Sequence, residues 1–370
     1  MTEPDRNQDQ LRQALSPDGP ACAVIKARFT PVGELGRFQP AGFPEIGHVI
    51  YDRPRKDGGT EKVCIVDSAA SMANHLEAIC VASPTELHEA LHGLPYVVCV
   101  TDSDGSPSPD RVVTTSLSEG HRIASDYFLD ARPLCNGQPD QEKLRERLRR
   151  EFGIIEVKKD KTYFIPPETW WSIYKTIFKY DPNSLVHGVM FAREQIKISR
   201  LLTGHFEAHG AARVGRSGVK FDRLGKTTSG QPIFSVDEET AHEIRATFVL
   251  DLALLRSYGR GDNGLGEKHK KLLLDLSLWK VSQLAASPFR FRSGCHLQCE
   301  GLEWSTDIHP SAHLVLPTVD IADSIRQCAF AEGPVTRVYY PAKELFTPPR
   351  EEGSGEDREE AGDEDEDSEG

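Results

Sequence analysis

The sequence predicts an α+β protein, and three stretches predict it. "ACAVIKARF" (Ala21–Phe29) alternates apolar and polar residues at the period of a strand. "KVCIVDSAASMANHLEAIC" (Lys62–Cys80) runs from a short apolar strand into a helix whose core face is Ala69, Met72, Leu76 and Ile79. "KHKKLLLDLSLWKVSQLAAS" (Lys268–Ser287) reads as a helix. Strands and helices are interspersed without a regular strand–helix–strand rhythm, which disfavours a parallel α/β sheet.

The remaining elements follow in order. Residues 1–20 are polar, end in "SPDGP" and read as a flexible lead. "TPVGELGRFQPAGFPEIG" (Thr30–Gly47) is a Gly/Pro-rich loop carrying Arg37. A helix is expected near "SPTELHEALHG" (Ser83–Gly93), a strand at "PYVVCVT" (Pro95–Thr101) and a solvated turn at "DSDGSPSPD" (Asp102–Asp110). Residues 132–185 read as a helical insertion rather than part of a sheet, with a basic helix from Gln141. "HEIRATFVLDLALLRSYG" (His242–Gly259) is a strand or a helix, and "PFRFRSGCHLQC" (Pro288–Cys299) a strand. These elements make one folded domain over 21–349, followed by an acidic tail over 350–370.

Composition bounds the function. The chain has 370 residues, 38% hydrophobic and 27% charged, enough for a large core. No apolar run approaches the ~18 residues that span a bilayer. The start, "MTEPDRNQDQLRQ", lacks the layout of a secretory signal, so a cytoplasmic protein without a membrane partner is expected. The eight cysteines then read as reduced, mostly buried thiols. "CHLQC" (Cys295–Cys299) has no second pair to complete a zinc site, and "HFEAH" (His205–His209) no obvious third ligand. No metal and no cofactor are expected.

The net charge of −13 is concentrated at one end. Residues 351–370 hold twelve acids against one arginine, a net of −11, so the rest is nearly neutral and its positive charge can gather locally. It gathers in Arg193–Thr227, where Arg193, Lys197, Arg200, Arg213, Arg216, Lys220, Arg223 and Lys226 face only Glu194, Glu207 and Asp222. Such a tract suits a groove that follows a nucleic-acid backbone; a solvated loop would look the same. At the start of the Ala69 helix, Ser68, Ser71, Asn74 and His75 place hydroxyls, an amide and an imidazole beside unpaired backbone N–H groups. That suits phosphate or ribose oxygens, and equally plain helix capping. His121 and Arg122 suit acid–base work or phosphate contact, or a turn tied to nearby Asp126. No phosphate-loop, dinucleotide or nucleophile-elbow pattern occurs.

Several stretches together resemble one family. "CIVDSAASMANHLEAI", "TSLSEGHRIASDYF", "NSLVHGVM" with "KISRLLTGHFEAHGA", "GVKFDRLG" and "PFRFRSGCHL" are similar, in order, to blocks of the CRISPR-associated backbone subunits of type I-U (I-G) effectors, in the repeat-associated RAMP superfamily. The matched blocks spread from about Arg28 to about Glu300. This chain departs from the family at "VMFAREQ" (Val189–Gln195), at Met72 and His75, and at "GHF" (Gly204–Phe206). The resemblance implies a modified RNA-recognition-type, ferredoxin-like palm with helical and loop (thumb-type) insertions. It also implies copies that polymerise along a guide crRNA and leave its bases open to a target DNA strand, beside other effector subunits of a Cascade-type ribonucleoprotein.

The resulting expectation is a non-catalytic crRNA-binding subunit. Ser68, Ser71, Asn74 and His75 are expected at phosphate or ribose. Arg193, Lys197, Arg200, Arg213, Arg216, Lys220 and Arg223 are expected along the RNA path, with Arg28, Arg37, Arg290 and Arg292 as further contacts. The alternatives are a RAMP-type endoribonuclease, with Asp67, His75, His121 and Asp126 as its reactive groups, and a protein-only scaffold.

Overall fold

The computed structural model describes residues 13–43, 47–83, 85–102, 106–157, 162–214, 238–311, 313–330 and 334–345. Strand β1 (Cys22–Pro31) alternates as its pattern requires: Ala23, Ile25, Ala27 and Phe29 are buried and Arg28 is exposed. A hairpin of β2 (Ile50–Pro54) and β3 (Thr60–Asp67) leads into α1 (Ala69–Ala78), which buries Met72, Ala73, Leu76 and Glu77. Next come β4 (Tyr96–Asp102), β5 (Pro107–Thr115) and β6 (Arg132–Cys135). Helices α2 (Leu144–Phe152), α3 (Trp170–Tyr180) and α4 (Pro182–His187) precede a tight hairpin, β7 (Val189–Phe191) and β8 (Ile196–Ile198). The chain then runs through β9 (Leu202–His209), β10 (Glu243–Asp251), α5 (Leu252–Ser257) and α6 (Glu267–Ala285). It finishes with β11 (Phe289–Arg292), β12 (Cys295–Thr306), α7 (Ile321–Gln327) and β13 (Val335–Tyr339).

The main sheet has the order β11–β12–β1–β10–β9–β3–β2, every neighbouring pair antiparallel. Taken in chain order, its four central strands, β1, β9, β10 and β12, lie fourth–first–third–second across the sheet. That is the interleaved order of a ferredoxin-like βαββαβ unit. The two helices of such a unit are α1, packed on β9, and α6, which joins β10 to β12; they touch each other on one face. The protein is therefore α+β, built on an RNA-recognition-type palm that β3 and β2 widen beyond β9. Register explains the burial. Alternation along β10 hides Ile244, Ala246, Phe248 and Leu250 beneath the helices and turns Arg245, Thr247 and Val249 to the open face, where Arg28 pairs opposite Arg245.

A second sheet carries the order β6–β13–β4–β5, with β13 parallel to β4. Tyr96 to Val100 are all buried, the continuous apolar run of a strand covered on both faces.

Four readings are adjusted. The helix expected near 83–93 is a pair of two- and three-residue strands and one 3₁₀ turn, Glu89–Leu91; Gly93, in the left-handed region at φ 93°, and Pro95 close it after a single turn. The stretch 242–259 is both strand and helix: β10 passes directly into α5, where the Asp251 side chain accepts from Leu254 N at 2.7 Å. Within 132–185 the helices are present, but β6 joins the second sheet and Ile155–Val157 pairs with Thr162–Phe164 as a hairpin. In the expected flexible lead, the described part lies against the body: Ala14 is buried, and Arg256 donates to the carbonyls of Ala14, Pro20 and Gly19. Residues 1–12 and the acidic tail lie outside the described residues.

All eight cysteines are free thiols, and burial pushes those of Cys64, Cys99 and Cys295 up to about 12. No group of three or more His, Cys, Asp or Glu among the described residues is placed to hold a metal. No described helix is long and apolar enough to cross a membrane.

Candidate nucleic-acid interface

The polar face of α1 is organised around one buried carboxylate. β3 ends at Asp67, whose Oδ1 accepts from Ser68 N at 2.8 Å and whose Oδ2 accepts from the Ser71 hydroxyl at 3.0 Å. His75 Nε2 lies 3.0 Å from Oδ2, and Arg292 Nη2 lies 2.9 Å from Oδ1 while its Nη1 donates to Val66 O at 2.7 Å. Ser68 is the N-cap, its hydroxyl accepting from Ser71 N at 3.1 Å. Burial pushes the Asp67 carboxyl up, but the His75 hydrogen bond and the Arg292 charge outweigh it and hold the group below its ordinary value of 3.8. A carboxylate thus already occupies the positive end of this helix, where a phosphate would sit. The structure gathers Ser71, His75 and Arg292 on the Asp67 carboxylate, with Ser68 capping the helix beside it; of the four residues expected at the helix start, Ser68 and Asn74 are exposed.

This Ser–His–Asp cluster is not wired as a nucleophilic relay. The same nitrogen, His75 Nε2, faces both Asp67 at 3.0 Å and the Ser71 hydroxyl at 3.4 Å, whereas a relay holds the acid on one ring nitrogen and the hydroxyl on the other. The other groups considered for catalysis have separate partners. His121 lies 3.3 Å from Glu119, and Asp126 pairs with Arg145 at 2.7 Å rather than with Arg122.

The predicted cations distribute unevenly. Arg28 is exposed on the open palm face, where a Cβ at Gly301 would meet its Nη2 at 3.1 Å. Arg37 pairs with Glu238 at 2.8 Å, Arg213 with Glu239 at 3.4 Å, and Arg290 donates to the Ser293 hydroxyl at 2.8 Å. Arg216, Lys220 and Arg223 lie outside the described residues. Arg193, Lys197 and Arg200 share the β7–β8 hairpin and its exit, and none of them pairs with an acid among the described residues.

Lys197 and Arg200 line a cleft of about 590 Å³ between the Gly120–Arg122 turn, the end of α4 and the β7–β8 hairpin. No acidic residue among the described ones lines it. Its shape depends on Gly188, at φ 78° and ψ 156°, a conformation essentially restricted to glycine; a Cβ there would sit 2.8 Å from Ile198 O and 3.1 Å from Arg200 Cγ. Arg122, itself at φ 54°, is buried. It forms a bidentate pair with Glu77 and donates to Gly188 O at 3.2 Å.

Beneath the cleft is a polar network that links α1, α4 and α6. Asn183 Nδ2 donates to Glu77 at 2.6 Å, and Lys280 donates both to Asn183 and, at 2.9 Å, to His187 Nε2. His187 lines the cleft and is 1% exposed. Burial, with the charges of Lys280, Arg122 and Arg200, holds it well below its ordinary value, so the ring is neutral. Since Nε2 accepts from Lys280 Nζ, the proton resides on Nδ1, which has no partner among the described residues.

Reading residues alone passed over Glu77, Asn183, His187 and Lys280. Lys280 was the legible sign: a lysine inside the apolar run "LSLWKVSQL" is buried only when held by acceptors.

A family model described as "CRISPR-associated protein GSU0053" matches residues 23–213. No curated protein matches. Among solved structures, the crystal structure of Thermofilum pendens Csc2 is similar at 11% identity and a TM-score of 0.26, covering 79% of this chain and 67% of that one. The palm assignment stands on the strand order itself.

Proposed function

The chain belongs to the CRISPR-associated GSU0053 family, and from that membership we propose that it is a non-catalytic, crRNA-binding backbone subunit of a type I effector complex. Copies line up along one guide, hold its phosphates without reading sequence, and leave the bases to pair with a target DNA strand beside the other effector subunits, in the cytoplasm. The observation that carries this reading is the set of cations on and after the β7–β8 hairpin, Arg193, Lys197 and Arg200, which have no acidic partners among the described residues and lie next to an RNA-recognition-type palm. Arg28, Asn74 and Arg290 extend the contact surface. Ser68, Ser71, His75 and Arg292 act on RNA through the Asp67 arrangement that fixes the start of α1.

Counterion release makes the test quantitative. Affinity for single-stranded RNA should fall with a log–log salt slope of about −0.7 per phosphate neutralised, and a flat filter-binding response across salt would refute the reading. Incubation with labelled RNA and divalent metal should give no discrete products; products would favour the endoribonuclease alternative. The tail over 351–370, net −11, is proposed to compete for the cationic surface, so its deletion should tighten binding to unrelated RNA.

A further inference from the structure

We infer that the cleft bounded by Gly120–Arg122, Gly188–Met190 and Lys197–Arg200 is a binding site for one phosphate group, with Lys197 and Arg200 as its charges and the Nδ1–H of His187 as its fixed donor. Three independent features converge. The described lining carries no acid, although over residues 1–350 acids and bases are nearly equal in number, 45 to 43. Both of its free cations lack partners among the described residues. The third is His187: a buried donor without an acceptor is costly and rare, and here Lys280 pins the tautomer that leaves Nδ1–H without one among the described residues. An oxygen-rich anion in the cleft, or water brought with it, supplies the missing acceptor.

The surroundings would not repel such an anion. Three carbonyls at and just past the end of α4, which would oppose negative charge, are already engaged: Leu185 O accepts from the Tyr258 hydroxyl, Val186 O from Leu201 N and Gly188 O from Arg122. Arg122 is neutralised by Glu77, so attraction rests on Lys197 and Arg200. The volume, about 590 Å³, admits a phosphate together with its attached sugar. The proposed function makes the source a phosphodiester of RNA; the phosphate chemistry itself does not depend on that reading.

The experiment uses the full chain and three variants, Lys197→Ala, Arg200→Ala and Met190→Glu. Met190 is 58% exposed at the cleft, so the last adds negative charge without touching the core. Each is titrated with a fluorescent single-stranded RNA of unrelated sequence and, separately, with inorganic phosphate at constant ionic strength, read by thermal melting. Each variant should weaken RNA binding about tenfold, the weight of one charge-assisted hydrogen bond, and each alanine variant should make the salt slope shallower by about one phosphate. Phosphate should raise the melting temperature of the parent more than that of the variants. RNA affinity unchanged in all three variants overturns the cleft and leaves the RNA reading standing. Phosphate protection that the variants abolish, in a chain that binds no RNA, upholds the cleft and overturns the RNA reading.

Discussion

Arg122 and Glu77 form a buried bidentate ion pair, Nε to Oε1 at 2.7 Å and Nη2 to Oε2 at 2.8 Å, that ties the turn after β5 to the last turn of α1. Asp126, much nearer in sequence, pairs with Arg145 instead. Removing one member leaves a buried charge alone. Glu77→Ala should destabilise by about 3–5 kcal/mol in urea unfolding, and the double variant Glu77→Leu with Arg122→Met should recover much of that loss.

Asp181 and His187 oppose one another in acid. Burial raises the Asp181 carboxyl from 3.8 to about 6, against the Ser184 hydrogen bond. The folded state therefore holds a proton that the unfolded chain releases, and this group's stabilisation is lost as pH rises from about 4 through about 6. His187, held neutral, contributes stability above 6.5 that is lost as pH falls below that value. Asp181→Asn removes the first contribution, about 3 kcal/mol at most. Its unfolding free energy should thus fall more steeply than the parent's between pH 6 and pH 4; parallel curves would contradict the burial of Asp181.

Asp67 has the reverse sign. Its carboxyl is depressed, so its contribution is complete above about 4 and lost as pH falls through its lowered value. Asp67→Asn should cost about 1–3 kcal/mol at pH 7, because Arg292 and His75 lose the carboxylate charge they share and one of its two acceptor oxygens, and the difference from the parent should shrink below pH 4.

Gly188→Ala tests the cleft's backbone. The residue would be strained in its conformation and its Cβ would press on Ile198 O and Arg200 Cγ. A loss of about 1–3 kcal/mol is expected, with RNA affinity reduced as Arg200 is displaced. Stability equal to the parent's would mean that the hairpin can reseat.

What could be read from residues alone was whatever is local. The alternation of β1, the capping serine of α1 and the length of α6 are each written within a dozen or so neighbours, and each is found where its pattern puts it. The helix expected at 83–93 shows the limit of that rule. Leu87 and Leu91 do have helical spacing, but a segment stopped at Gly93 is too short to nucleate more than one turn. Long-range meetings left no local trace. Nothing beside Asp67 announces that Arg292 will arrive from the far end of the chain, and nothing in β4 announces a parallel partner in β13. The same holds for the site: the cationic tract was visible as composition, whereas the cleft exists only once the Gly120 turn, α4 and β8 fold together.

The rim of the main sheet bears on how copies can associate. β2 closes one side with Tyr51, Asp52, Arg53 and Pro54 all exposed. A neighbour adding its own strand there would stack against two charges and meet a proline that offers no N–H, so the palm is poorly made for self-templating into a fibre. If, as proposed, successive subunits are threaded on one oligonucleotide, that thread rather than strand pairing at β2 joins them, and digesting it with nuclease should return free single chains rather than protein polymers.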